Sequence, residues 1–270
     1  MKIGFIGAGK MARALAGGLV RGDVAQAAEI VCSSRSAESG RAFLGLLPGA
    51  RWTSDNAGLV ASSDLVILAI KPQQFAAALS ALRDASAGKL FLSLAAGITL
   101  SQMSGWLHPD ARLVRAMPNT PMQVGLGASV FAGGAGATEA DLALIERVLG
   151  SAGKAWRVEE GQIDAVTALA GSGPAYAFHF IDALVRAAIP LGLNEKLARE
   201  LALQTVLGSA TLAAQSELAP LELAAQVKSP RGTTLAGCAV LEENDVLNVL
   251  MARCLAAAKA RAEALARGEG

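Results

Sequence analysis

The segment GFIGAGKMA, Gly4 to Ala12, constrains the fold more than any other stretch of this chain. It leaves a short apolar run, KIGFIG (Lys2–Gly7), and leads into MARALAGGLVRG (Met11–Gly22), which has helical composition and ends in a glycine. Gly7 lets the backbone turn sharply off a strand, and Gly9 presents no side chain to obstruct a pyrophosphate. Ala12 stands in the third glycine position and is small enough for close helix–strand packing. The free N–H groups at the start of such a helix would face phosphates. A bare G-x-G-x-x-A is a weak signal, and the bland reading is a tight turn that binds nothing. Its place between a strand and a helix, at the head of a β-α repeat, points to a dinucleotide-binding turn.

That repeat is visible downstream. EIVCSS (Glu29–Ser34), DLVILAIK (Asp64–Lys71), KLFLSLAA (Lys89–Ala96) and ARLVRAMP (Ala111–Pro118) are continuous apolar runs separated by helix-like sequence. Continuous rather than alternating runs indicate a parallel sheet covered on both faces. GASVFAGG (Gly127–Gly134) and KAWRVEE (Lys154–Glu160) read as later strands extending its edge, in a direction the sequence leaves open. From Gln162 onward strand signals stop. Ile163–Leu193, Asn194–Gln215, Leu221–Lys228, Thr233–Glu243 and Asp245–Arg267 read as helices, with Asn194 as an N-cap and Pro174 at a first helical position. The expected fold class is an α/β Rossmann-type N-terminal domain with a mostly parallel sheet, followed by an all-α C-terminal domain. The boundary falls between residues 158 and 159.

Composition removes several function classes. The net charge is +1 and charged residues make up 17%, so no basic field points to nucleic acid or a membrane surface. The most apolar stretch, Ile163–Leu193, is broken by Asp164, His179, Asp182 and Arg186, and is expected to be a buried soluble helix rather than a membrane span. Cys32, Cys238 and Cys254 are scattered without metal-ligand spacing, so no metal site is expected and a reduced, cytoplasmic protein is the simplest reading. The alanine-rich hydrophobic fraction, 53%, suggests extensive burial that includes a subunit interface.

The end of the second strand bears on cofactor choice. An NAD enzyme usually carries an acid there for the ribose 2′-hydroxyl. This chain has Ser33, Ser34 and Arg35, which can donate to a 2′-phosphate that an acid would repel. NADPH is therefore favoured, with NADH possible; the bland reading is an ordinary polar loop. Further strand exits follow: Ala69, Ile70, Lys71 and Pro72; then Ala95, Ala96 and Gly97, small enough to pack against a flat ring; then Asn119 and Thr120 between two prolines. Ligands of open α/β sheets bind at such carboxyl ends. In the helical half, Ser172 lies between glycines but lacks the strand context of a nucleophile elbow. His179 is expected in a core or interface and His108 at the surface. SPRGTT (Ser229–Thr234) opens a helix, and its N–H groups and hydroxyls suit a carboxylate, unless it is a plain capping turn.

GFIGAGKMA, SSR, SDNAGLV, LAIKPQ, LAAGIT, RAMPNTP, IDAVTALAGSGPAYAFHFIDAL and SPRGTT, in this order along nearly the whole chain, resemble the Δ1-pyrroline-5-carboxylate reductases. The GSGPAY helix and the S-P-x-G-T-T loop are specific to that family, whereas the glycine motif is not. The resemblance implies NADPH-dependent reduction of pyrroline-5-carboxylate to L-proline and a homo-oligomer joined through the C-terminal helices, residues 159–270 serving dimerisation and substrate binding. It implies cofactor contacts at Gly7, Ala8, Gly9, Lys10, Met11, Ser34, Asn56, Ile70, Lys71 and Ala96, and substrate contacts at Glu160, Gly232, Thr233 and Thr234. Thr234 is expected to act on the ring nitrogen and Glu160 to favour its cation. Arg231 departs from the family's usual S-P-G-G-T-T, which puts the shape of that loop in question. The other readings weighed are a related cyclic-imine reductase or β-hydroxyacid dehydrogenase, which would usually need a lysine or acid in the long helix, and a dinucleotide-sensing regulator without turnover.

Overall fold

In the computed structural model, which describes residues 1–134 and 136–269, the amino-terminal half forms one sheet with helices on both faces. In chain order its elements are β1 (Ile3–Ile6), α1 (Lys10–Arg21), β2 (Ile30–Ser33), α2 (Ala37–Leu46), β3 (Arg51–Thr53), α3 (Asn56–Ser62), β4 (Leu65–Leu68), α4 (Phe75–Ser80), β5 (Leu90–Ser93), α5 (Leu100–Trp106), β6 (Arg112–Met117), β7 (Gly127–Gly133), α6 (Glu139–Gly150) and β8 (Gly153–Arg157). The strand order is β3-β2-β1-β4-β5-β6-β7-β8. Neighbours are parallel except β6 and β7, which pair antiparallel, so β7 and β8 run against the first six strands.

Every residue of β1, β2, β4 and β5 is buried, as continuous apolar runs require. Alternate side chains feed opposite cores. Ile3, Phe5, Ile67 and Leu92 pack with Leu15 and Leu19 of α1, Phe43 of α2 and Ile145 and Leu149 of α6. Ile6, Val66, Leu68 and Phe91 pack with Val60 of α3, Phe75 and Leu79 of α4 and Met103 of α5. The strand order reverses on either side of β1, which leaves a crevice at the strand carboxyl ends, the place where such sheets bind ligands.

Beyond β8 the chain forms α7 (Ile163–Val166), a π-turn at Thr167–Gly171, α8 (Gly173–Ala188), α9 (Glu195–Gln215), α10 (Pro220–Val227), α11 (Thr233–Glu242) and α12 (Val246–Ala266). Two compact units result: Met1–Ser172 together with the segment beginning at Ala257, and Gly173–Ala256. In the second unit Asn194 caps α9, its Oδ1 accepting the Leu197 N–H at 2.9 Å. The expectation of a buried long helix needs correction, because no residue of α8 is buried within the chain. Phe178 is 64% exposed and Leu207 of α9 is 55% exposed. His179 is exposed as well, which removes its core reading and leaves the interface one. Helices this apolar have faces that their own chain does not cover. Among the described residues no helix is long and apolar enough to cross a membrane.

One buried charge fixes the far end of the sheet. Asp141 of α6 accepts from the Thr138 N–H at 2.9 Å and the Thr138 hydroxyl at 2.8 Å, and pairs with Arg112 of β6. Burial alone would raise its pKa, but the two Thr138 donors and the guanidinium outweigh it and hold the carboxyl below the ordinary 3.8. A depressed pKa in the folded state contributes stability above the unfolded value that is lost as pH falls through the folded one. Asp141→Asn is expected to cost about 1–3 kcal/mol at neutral pH. Urea unfolding should show the parent losing more stability than the variant between neutral pH and about pH 3.

Candidate active site

The first turn of the crevice is built as a dinucleotide requires. Gly7 has φ +107°, and a Cβ there would lie 2.5 Å from the Ala69 carbonyl oxygen, so glycine is demanded by both backbone and space. Its N–H donates to the Ser33 carbonyl at 2.9 Å, tying the turn to β2. Gly9 is the N-cap of α1 and no side chain caps that helix. A Cβ on Gly9 would meet no protein atom within 4 Å, so the open space over the helix end is left for a ligand. Ala8 and Ala12 are buried, while Lys10 is exposed and Met11 half-buried at the rim. An uncapped helix N-terminus behind a glycine turn fits a pyrophosphate.

Beside it, Ser33 is buried, Ser34 half-buried and Arg35 exposed. The Ser34 hydroxyl donates to the Ser36 carbonyl at 2.7 Å and accepts from the Trp52 indole N–H at 3.0 Å. The Arg35 guanidinium reaches the side-chain amide of Gln74 once that amide is oriented to accept. The preceding Cys32 is no competitor for chemistry, since burial pushes its thiol up to about 11.

The other strand exits line the same edge. Asn56 is the first residue of α3, behind Asp55, whose carboxylate accepts the Gly58 N–H at 2.9 Å. Ala69 and Ile70 follow β4 half-buried, and Lys71 and Pro72 are exposed at the start of a 3₁₀ turn. After β5, Ala95 and Gly97 are buried and Ala96 is half-buried. Gly97 lies against the end of α12, a Cβ there being 3.0 Å from the Leu265 Cβ. Asn119 is spent on the protein itself: its amide donates to the Ala170 carbonyl in the π-turn at 3.0 Å and accepts from the Ala128 N–H at 2.9 Å. A cavity of about 520 Å³ lined by Lys2, Glu29, Arg51, Asp64 and Lys89 lies at the opposite, amino ends of the strands and contains none of these residues. The strand-end rule, rather than concavity alone, locates the ligand crevice.

Sequence reasoning missed the charge that organises the last exits. Arg115 of β6 is only 3% exposed. It donates to Glu160 at 3.2 Å through Nη1 and to Asp164 of α7 at 3.2 Å through Nη2, while its Nε finds no acceptor. Glu160 Oε1 also accepts the Leu100 N–H at 2.8 Å, capping α5 directly behind the Ala95–Thr99 loop. The expectation for Glu160 is thereby sharpened. Its carboxylate is not a free charge but one of two on a single guanidinium, a cluster of net charge −1 that fixes the small-residue loop. A cation inside the apolar run ARLVRAMP was the available signal.

In the second unit, Gly232 is the N-cap of α11, with no capping side chain, so the first N–H groups of the helix around Thr233 and Thr234 are free for a ligand. Thr233 is exposed and Thr234 half-buried. Arg231 adopts φ +61°, the left-handed conformation that glycine holds without strain. The loop therefore keeps a glycine-like shape despite the substitution. Lys228 pairs with Glu242 at the other end of α11, and that hydrogen bond raises the lysine pKa. His108 is half-buried, and its Nδ1 accepts the Asp110 N–H at 3.2 Å within its own turn.

Comparison with known proteins adds an independent line. Residues 160–265 match the family described as pyrroline-5-carboxylate reductase dimerisation, and residues 2–97 match NADP oxidoreductase coenzyme F420-dependent. A pyrroline-5-carboxylate reductase of Arabidopsis thaliana is 42% identical over 96% of this chain and 93% of its own. A solved pyrroline-5-carboxylate reductase from Coxiella burnetii superposes with a TM-score of 0.92 at 37% identity, over 98% of each chain. A Plasmodium falciparum pyrroline carboxylate reductase solved with NADP bound gives 0.87 at 26% identity, again over 98% of each.

Arg231→Gly should remove left-handed strain of about 1–2 kcal/mol. It should return part of that through greater freedom of the unfolded chain, for a net gain of about 0.5–1 kcal/mol. A higher urea midpoint is the expected result, and a lower one would contradict the strain reading.

Proposed function

The chain belongs to the pyrroline-5-carboxylate reductase family, and on that premise we propose how its residues share the reaction. It is an NADPH-dependent oxidoreductase that reduces the cyclic imine Δ1-pyrroline-5-carboxylate to L-proline, the final step of proline biosynthesis. It carries the family's dimerisation domain. The hydroxyacid alternative would usually need a lysine or acid in the long helix; α7 carries Asp164, but no lysine lies between Ile163 and Ser172, and Asp164 already pairs with Arg115.

Residues 1–158 form the NADPH domain in this reading, and 159–270 the dimerisation and substrate domain. The turn Gly7–Met11 holds the pyrophosphate on the N–H groups that follow Gly7, Ser33, Ser34 and Arg35 meet the 2′-phosphate, and Asn56 lies at the adenosine end. Ala69–Pro72 and Ala95–Gly97 flank the remainder of the cofactor. Asn119 is reassigned from contact to support, because both ends of its amide are taken. A second copy of the chain covers the apolar faces of α8 and α9 in a homodimer, and the enzyme works in the cytoplasm.

When bound, NADPH supplies the hydride. The imine nitrogen arrives protonated, so hydride addition at the imine carbon, which becomes C5 of proline, sends the C=N electron pair onto nitrogen and leaves a neutral amine that keeps its proton. No side chain has to deliver a proton at that moment, which agrees with a site poor in acids and bases. The residues position and desolvate instead, an effect worth about 7–11 kcal/mol when orientation is good. The free N–H groups of Thr233 and Thr234 hold the carboxylate, while Gly232 serves as the turn before them because its own N–H is given to the Ser229 carbonyl at 2.9 Å. The Thr234 hydroxyl accepts from the protonated ring nitrogen, and Glu160, in a cluster of net charge −1, favours the cation. The observation that carries this assignment is the uncapped start of α11 behind a left-handed residue 231.

The test is loss of NADPH absorbance with pyrroline-5-carboxylate. Thr234→Ala is expected to lower kcat/KM about ten- to a hundredfold, the loss of one hydrogen bond to a charged group. NADPH affinity, read by fluorescence titration, should be unchanged. An unaltered kcat/KM would remove Thr234 from the site.

A further inference from the structure

The 2′-phosphate loop has a brace that neither the glycine motif nor the family match assigns. Trp52 of β3 packs against α2 at Gly40, where an added Cβ would stand 2.4 Å from the indole Cδ1. A glycine inside a helix is less stabilising than an alanine, and here the indole occupies the space it opens. From that seat the Trp52 Nε1–H donates to the Ser34 Oγ at 3.0 Å. The Ser34 hydroxyl donates in turn to the Ser36 carbonyl at 2.7 Å, and Ser36 is the N-cap of α2.

A serine hydroxyl has one proton and two lone pairs. With the indole N–H filling one lone pair, the hydroxyl proton must point away from the indole. That proton now rests on the Ser36 carbonyl, and a phosphate oxygen that competes with the carbonyl draws it off without the hydroxyl turning toward the indole. A phosphate offers acceptors only, whereas a ribose 2′-hydroxyl can donate or accept. Donation into the oxygen also polarises the O–H bond and strengthens its outward hydrogen bond. We propose that Trp52 is a specificity-determining positioning residue, which sets the preference for the 2′-phosphorylated cofactor by holding Ser34 as a hydrogen-bond donor. The inference rests on the reading of Ser34 as a 2′-phosphate contact.

Trp52→Phe keeps an aromatic ring on Gly40 and removes only the N–H. The ratio of kcat/KM for NADPH to that for NADH is expected to fall about three- to tenfold, with the loss on NADPH. Ser34→Ala should lower the same ratio to a similar extent, and the double variant no further than Ser34→Ala alone, since both act on one hydroxyl. Three results overturn the inference. If Ser34→Ala lowers the ratio but Trp52→Phe does not, the indole plays no part. If Trp52→Phe weakens both cofactors equally, its role is only structural. If neither variant moves the ratio, the reading of Ser34 falls and the inference with it. Thermal unfolding of Trp52→Phe, run alongside, separates a folding defect from a shift in selectivity.

Discussion

A single buried guanidinium ties together the parts of this protein that must be held still. Arg115 sits in the central sheet, yet its two hydrogen-bonded partners, Glu160 and Asp164, lie beyond the last strand at the head of the helical half. Glu160 reaches back to the Leu100 N–H and so fixes the start of α5 and the small-residue loop before it. Removing one partner from such a buried cluster typically costs about 3–5 kcal/mol, because the remaining charges lose their compensation. The cluster is best understood as a positional clamp, since buried ion pairs are weak sources of net stability. It holds the loop expected to flank the nicotinamide, and it leaves one uncompensated negative charge close by.

The chemistry asks little else of the side chains. Reducing an already protonated imine requires a hydride donor, a cradle for a carboxylate and a dry, fixed geometry. In the proposed assignment, backbone N–H groups supply much of this at the starts of α1 and α11, which no side chain caps. Neither histidine is poised for catalysis: His108 binds within its own turn, and His179 lies on a helix face that the chain leaves exposed. In the proposed assignment, cofactor choice is a matter of hydroxyl orientation and one guanidinium at the end of β2.

Much of this was legible in the sequence, for identifiable reasons. Buried parallel strands are continuous apolar runs, so β1, β2, β4, β5 and β6 stood out. The three residues of β3, Arg-Trp-Thr, are too short and too exposed to give such a run. The direction of β7 depended on the connection at residues 118–126, shorter than the dozen or so that a parallel crossover needs. The substitution at Arg231 correctly marked a position where a glycine conformation is needed. Burial of α8 was misjudged because its apolar face has no cover within its own chain. The roles of Arg115, Asn119 and Trp52 depend on contacts across 9 to 51 residues of sequence, which no local pattern encodes.

The account stands on direct transfer of hydride from reduced nicotinamide to the C=N carbon of the imine ring, which becomes C5 of proline. The most direct measurement uses NADPH stereospecifically deuterated at C4, pyrroline-5-carboxylate and the purified enzyme, with the proline analysed by NMR and mass spectrometry. With the label on the transferred face, the account predicts L-proline carrying one deuterium at C5 and oxidised cofactor without it. Cofactor that binds yet is never oxidised in the presence of the imine, or proline whose deuterium is absent from both label orientations, would contradict it.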